Sequence, residues 1–196
     1  MKRLLPLIVL IFICSTASAQ LFKKKERTVE PQYQSGTITL QNGKVTFEEK
    51  IPAEGLSAAE IEKRVNEWIT ARYVEPTVIS VKRYESEQPS TTIIKGEEYI
   101  VFQKKFFVLS SARIYYYLTL TAADGSCNFH MSRITYWYDD QDEKGGMKLK
   151  AEEWITDEYA FNNKGGLKQF EGKFRRKTIE LKNLLIDELK KELSRK

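Results

Sequence analysis

Apolar residues change their period along this chain, and each change marks an element. Over residues 37–51 they alternate. Ile38, Leu40, Val45 and Phe47 share one face if Asn42-Gly43 closes a two-residue hairpin. Both turn residues tolerate positive φ, and the alternation then agrees with the register. Pro52 and Gly55 stop that hairpin. Ser57-Ala58-Ala59-Glu60 follows as a capping box, with Leu56 and Ile61 placed as a hydrophobic staple. Ile61, Val65, Trp68 and Ile69 then recur at helical spacing. They predict one apolar stripe on a helix of about four turns, ended by Tyr73 and Pro76.

Strand-like runs come next, over 78–84, 92–103, 106–121 and 126–138. Asp124-Gly125 joins the last two and reads as a second type I′ turn. With Ala123 opposite Ser126, strict alternation puts Ile114, Tyr116, Leu118 and Leu120 on one face with Phe129 and Met131. The other face receives Tyr115, Tyr117, Thr119, His130, Ile134, Tyr136 and Tyr138. Residues 139–146 form a polar loop, and 148–163 show no single period, with Trp154, Ile155, Tyr159 and Phe161 as anchors. After Gly165-Gly166, residues 167–195 read as a long helix through Phe170, Phe174, Leu181, Leu185, Leu189 and Leu193. Hairpin, helix, four antiparallel strands and helix predict an α+β fold, an antiparallel β-sheet with two helices packed on one face. The opposite face is then left to solvent.

The first residues carry a different pattern. Lys2-Arg3, the apolar run from Leu4 to Cys14 and the Ala17-Ser18-Ala19 ending make a signal peptide over 1–19, cut after Ala19. The run is shorter than the ~20 apolar residues that span a bilayer. Lipidation at Cys14 is the competing reading, but Ile13 stands where a small residue is needed. Export implies a periplasmic or secreted protein. Residues 20–35 read as a flexible basic arm, in which Lys23, Lys24, Lys25 and Arg27 can make at most peripheral contact with an anionic membrane.

Composition narrows the chemistry. Lys2 and Arg3 leave with the leader, so the formal net charge falls from +5 to +3. That balance gives no argument for nucleic acid. A chain 41% hydrophobic and 12% aromatic can build one packed domain. Cys127 remains as the lone cysteine after cleavage, so no internal disulfide forms. His130 is the single histidine, and three strand positions from Cys127 it lies on the opposite face. A zinc site from histidines is excluded, and no Gly-x-Ser-x-Gly elbow or phosphate-cradling glycine loop occurs. The loop from Asp139 to Glu143 lacks EF-hand spacing, because Lys144 falls at a ligand position. Glu48-Glu49 and Glu152-Glu153 are adjacent pairs, which an extended backbone points to opposite faces. No catalytic residue, metal or cofactor is expected.

Several stretches together resemble a known family. They are Lys44-Val45-Thr46-Phe47-Glu48-Glu49, Gly55-Leu56-Ser57 with the Trp68 helix, Ile93-Ile94-Lys95-Gly96, and Tyr117-Leu118-Thr119-Leu120. The Asp124-Gly125 turn, Phe129, Ile134-Thr135-Tyr136, the leader ending in Ala-Gln and the leucine-rich last helix also fit. The chain is similar to a secreted domain-of-unknown-function family, found mainly in Bacteroidetes, with a TBP-like fold. The resemblance implies a β-α-β4-α order over 36–196, preceded by a short extra strand, with an insertion at about 139–165. It implies no established activity and carries no functional residues. The expectation is an exported, single-domain, non-enzymatic binding or cell-envelope structural module. Its recognition face would hold Tyr115, Tyr117, His130, Tyr136 and Tyr138. Its partner would be an envelope protein or glycan, with no nucleic acid. The alternative is a histidine-independent, carboxylate-based hydrolase of an extracytoplasmic polysaccharide or peptide.

Overall fold

The computed structural model of the protein describes residues 29–195, apart from 75, 77, 106–107, 140–141 and 143, with backbone alone for the other positions over 103–109. The leader over 1–19 and the basic residues Lys23, Lys24, Lys25 and Arg27 lie outside the described residues, as do Asp140, Gln141 and Glu143.

Asn42 and Gly43 take φ of 52° and 72°, the left-handed pair a two-residue hairpin requires. They join β1 (Thr39–Gln41) to β2 (Lys44–Pro52), with Leu40 opposite Val45. The ladder ends at Thr39–Thr46, so the expected Ile38–Phe47 pair does not form. Val45 is buried, whereas Leu40, on the short edge strand, is 53% exposed. Helix α1 (Ala58–Arg72) begins with both halves of the capping box between Ser57 and Glu60. It buries Ile61, Val65, Trp68 and Ile69. At the second hairpin only Gly125 has positive φ, so the turn is not type I′. The reason is docking. Asp124 accepts from the Ala58 amide at the start of α1 (2.9 Å), and Gly125 exchanges backbone bonds with Ala53 and Leu56.

The remaining strands are β3 (Val78–Tyr84), β4 (Thr91–Lys105), β5 (Val108–Ala123), β6 (Ser126–Tyr138) and β7 (Met147–Lys150). Short α2 (Asp157–Ala160) and long α3 (Glu171–Leu193) complete the chain. The antiparallel sheet runs β1-β2-β6-β5-β4-β3, and β7 joins the free upper half of the β6 edge. Helices α1 and α3 pack on one another and on the same sheet face. This is the α+β, TBP-like arrangement of β-α-β4-α with an extra leading strand. Strand β7 and the single turn of α2 fill the 139–165 stretch.

One residue changes the assignment of a whole half-strand. Tyr117 pairs with Ser132, but Tyr115 pairs with Thr135, so Arg133 and Ile134 together oppose Tyr116. Arg133 absorbs the extra residue at φ 53°. A bulge shifts the side-chain parity by one. Below it Cys127, Phe129 and Met131 face the helices; above it Ile134, Tyr136 and Tyr138 do. Strict alternation therefore misplaced Tyr136 and Tyr138. Tyr136 is 1% exposed, and its hydroxyl shares a 2.7 Å hydrogen bond with Thr178 of α3. Tyr138 packs among Phe102, Phe170 and Phe174, with the Lys173 ammonium 5.1 Å from its ring. Residues 151–161 also belong to the helix side. Ile155 is buried and Trp154 stacks edge-on against Phe170 and Phe174.

A polar cluster sits within that helix-side layer. Tyr116 donates to the Glu98 carboxylate, its hydroxyl lies 2.8 Å from that of Tyr73, and Arg72 donates to Glu98 at 2.7 Å. Burial pushes the Tyr116 hydroxyl well above its ordinary value, so it remains a donor. Gly96 makes the packing possible. A Cβ there would meet Cζ and the hydroxyl of Tyr116 at 2.7 and 2.8 Å. Because two hydrogen bonds fix Tyr116, Gly96→Ala is expected to cost about 1–3 kcal/mol, the range for overpacking. Urea denaturation checks this, and a loss below about 0.5 kcal/mol, typical of unconstrained surface sites, would mean that Tyr116 swings aside.

Candidate functional site

Strand β5 shows why a recognition face exists. From Ala112 to Leu120 every even position is buried and every odd position is half-buried. The even side chains lie under α1 and α3. The odd ones, Arg113, Tyr115, Tyr117 and Thr119, emerge on the face that neither helix covers. Cross-strand register adds their neighbours. Lys95 opposes Tyr117, Glu97 opposes Tyr115, and Tyr99 opposes Arg113 on β4. Thr135 opposes Tyr115 and Trp137 opposes Arg113 on β6, with Lys150 and Lys148 beyond them on β7. Tyr84 and Lys82 extend the face onto β3.

Rings and cations interleave across this face. Lys95 lies 5.6 Å from the Tyr115 ring, Arg133 5.1 Å from Tyr117, and Lys148 5.5 Å from Trp137. Arg113 stands 5.2 Å from Trp137 and 5.8 Å from Tyr99. Tyr84 and Tyr117 pack at 5.6 Å between centroids. The Tyr117 hydroxyl beside it raises the Tyr84 phenol above its ordinary value, and burial followed by the Glu97 carboxylate does the same for Tyr115. Both phenols stay neutral hydrogen-bond donors. Glu97 is held by Arg113 at 3.2 Å and by the Ser80 hydroxyl at 3.0 Å. Between β4 and β7 lies a groove of about 460 Å³, lined at its surface by Lys95, Tyr115, Thr135, Trp137, Lys148 and Lys150. The indole of Trp137 is pinned there by donating to the Gly145 carbonyl at 2.8 Å.

Of the residues expected on this face, Tyr115, Tyr117 and His130 lie on it, and Tyr136 and Tyr138 do not. His130 pairs across the ladder with Thr119 and stands 3.6 Å from Glu48, at the β2 end. Trp137 was missed because the bulge inverts its parity. Tyr84 and Tyr99 follow from plain alternation once β3 and β4 are in register. Cys127 is fully buried on the helix side, and burial pushes its thiol up to about 12, so it stays protonated and unreactive.

The adjacent acid pairs diverge. Glu48 points to the open face and Glu49 to Lys190 of α3 at 2.5 Å. Glu152 accepts from the Val45 amide (3.1 Å), and Glu153 pairs with Lys150 (3.0 Å). Among the described residues no cluster of three or more His, Cys, Asp or Glu could hold a metal, and no helix is long and apolar enough to cross a membrane.

Comparison with known proteins supports the same architecture. Residues 47–137 match the domain of unknown function (DUF4468) with TBP-like fold. No curated protein matches the chain. A crystal structure of a DUF4468 family protein from Bacteroides ovatus superposes with a TM-score of 0.74 at 29% identity, covering 84% of this chain and 95% of that one. A TBP-like protein from Parabacteroides distasonis superposes at 0.64 with 20% identity, covering 79% of this chain and 96% of its own, which shows the fold alone. Over residues 47–137, from within β2 to within β6 and including the half-buried Tyr115 and Tyr117, the chain is similar to the DUF4468 family, and its fold is TBP-like.

Proposed function

We propose that this is an exported, non-enzymatic binding module of the cell envelope, and that the uncovered sheet face is its recognition surface. The observation that carries the reading is the alternation on β5. It sets Tyr115 and Tyr117 half-buried in one row, away from both helices. Anchored rings with polar tips lose little conformational freedom on binding, which is what recognition surfaces select for. The leader pattern over 1–19 supports export. The divergent carboxylates supply no acid/base pair, so binding rather than hydrolysis is the reading that the face favours.

The test is the double variant Tyr115→Ser/Tyr117→Ser. Folding is expected to hold to within about 2 kcal/mol, since each half-buried ring gives up cross-strand contacts worth about 0.2–1 kcal/mol. Retention of the purified protein on isolated cell envelopes should fall at least tenfold. Retention equal to wild type, with folding intact, would show that the face is inert.

A further inference from the structure

The charge on the open sheet face points to a ligand class, and that assignment rests on the proposal that this face is the recognition surface. Across β3 to β7 the described open-face positions hold Lys82, Lys95, Arg113, Arg133, Lys148 and Lys150 against one carboxylate, Glu97. Glu97 is already committed to Arg113 and Ser80. Among the described residues no carboxylate makes an ion pair with Lys82, Lys95, Arg133 or Lys148; these cations lie against aromatic rings instead. Lys150 has Glu153 at 3.0 Å, but that pair is 60% exposed on both sides and readily exchanged.

From this we infer that the β4–β7 groove binds an acidic polysaccharide, a chain of uronate sugars. Three features fit that class together. Lysines flank the groove on both sides: Lys148 and Lys150 on β7 sit about 7 Å apart, two residues along a strand, and Lys95 on β4 lies about three strand spacings, or ~14 Å, across the sheet and two residues along it from the Lys150 row. Carboxylates on a linear chain laid across the strands would meet both rims. The floor between them is Tyr115 and Trp137, with the Thr135 hydroxyl. A ring face suits the apolar C–H face of a pyranose, and phenol and threonine hydroxyls suit its hydroxyl edge. Finally, a cation resting over an exposed ring is held weakly, whereas a charge-assisted bond to a carboxylate is strong. Each lysine can therefore swing from its ring to a ligand carboxylate and uncover the ring for the adjoining sugar.

A membrane surface fits less well. Every aromatic among the described residues of the face touches a cation, which insertion would drag out of water, and Trp137 is tied to Gly145, so none of these rings is presented as a free apolar tip. Insertion among lipids needs such tips.

Isothermal titration of the purified protein tests this with polygalacturonate and alginate, a carboxyl-reduced polygalacturonate, phosphatidylglycerol vesicles and a single-stranded oligonucleotide. Binding of at least one of the two polyuronates is expected, weakening as salt rises. It should weaken at least tenfold in Lys148→Gln/Lys150→Gln, and the reduced polymer should not bind. Gln keeps the stem and exposed position, so thermal unfolding should be unchanged. Absence of binding to both polyuronates overturns the inference, as does equal binding of the reduced polymer. Tighter binding to vesicles or oligonucleotide that is lost in Tyr115→Ser/Tyr117→Ser overturns the ligand class but keeps the face. Polyuronate binding untouched by either double variant removes the face itself.

Discussion

Arg175→Ala is expected to destabilise the protein by about 3–5 kcal/mol, the range for breaking a buried ionic network from one side. Arg175 is fully buried in α3, and its fork reaches three backbone carbonyls: Tyr33 (3.1 Å), Ile155 (2.8 Å) and Gln34 (2.6 Å). It also donates to the Thr37 hydroxyl at 2.9 Å and pairs with Asp157 at 2.8 Å. Asp157 in turn accepts from Ser35 and Gly36. One guanidinium thus ties the segment before β1 and the turn before α2 to the long helix. Truncation would leave those carbonyls without donors in an apolar surround. Arg175→Lys should recover only part of the loss, because an ammonium has no planar fork. Urea denaturation measures both; a loss below about 1 kcal/mol for Arg175→Ala, the ceiling of a surface ion pair, would mean that water replaces the network.

The same network gives a pH signature. Burial alone would raise the Asp157 carboxyl, but hydrogen bonds from Ser35 and Gly36 and the Arg175 guanidinium outweigh it and hold it below its ordinary value. A carboxyl depressed on folding contributes stability above its unfolded value, and that contribution is lost as pH falls through the folded value. The acid limb of the stability curve should therefore be shallower in Arg175→Ala than in the wild type.

Much of this architecture is legible in the residues because local and long-range signals agree. Ser57 and Glu60 cap α1 wherever the helix docks, and the Ile61–Ile69 stripe needs only a 3.6-residue period. Alternation on β5 is uninterrupted, so Tyr115 and Tyr117 could be placed on the open face. Two kinds of information were not local. Arg175 falls in a helix whose surface also carries Lys173, Arg176 and Lys177, and nothing in the sequence distinguishes the one arginine that a distant segment wraps. The bulge at Arg133 is equally silent. No glycine marks it, and its position follows from β6 having to serve β2 on one half of its edge and β7 on the other.

That bulge has a testable cost. Tyr136→Ser is expected to destabilise by about 3–5 kcal/mol, as truncation of a large buried aromatic does, whereas Tyr117→Ser should cost about 1 kcal/mol or less, the worth of its cross-strand contacts. Straight alternation would have predicted the same small loss for both. The difference arises because Tyr136 lies under α3, in edge contact with Phe174 at 5.1 Å and hydrogen-bonded to Thr178. Serine would leave a cavity there and strand the Thr178 hydroxyl, although Thr178 also donates to the Phe174 carbonyl. Tyr136→Phe isolates the hydrogen bond and should cost about 1 kcal/mol. Deleting Arg133 tests whether the extra residue itself is needed. Its loss leaves Ile134 alone opposite Tyr116 and joins the Tyr117–Ser132 and Tyr115–Thr135 pairs by unbroken alternation, so Ile134 and Tyr136 stay inward and Thr135 and Trp137 stay outward. The deletion should therefore keep the fold, seen as amide protection along β6 equal to that of the wild type. Fast exchange over 134–138 and 147–150 in that variant, with the β2–β6 half still protected, would show that the bulge is required to hold the upper half of β6 against β7.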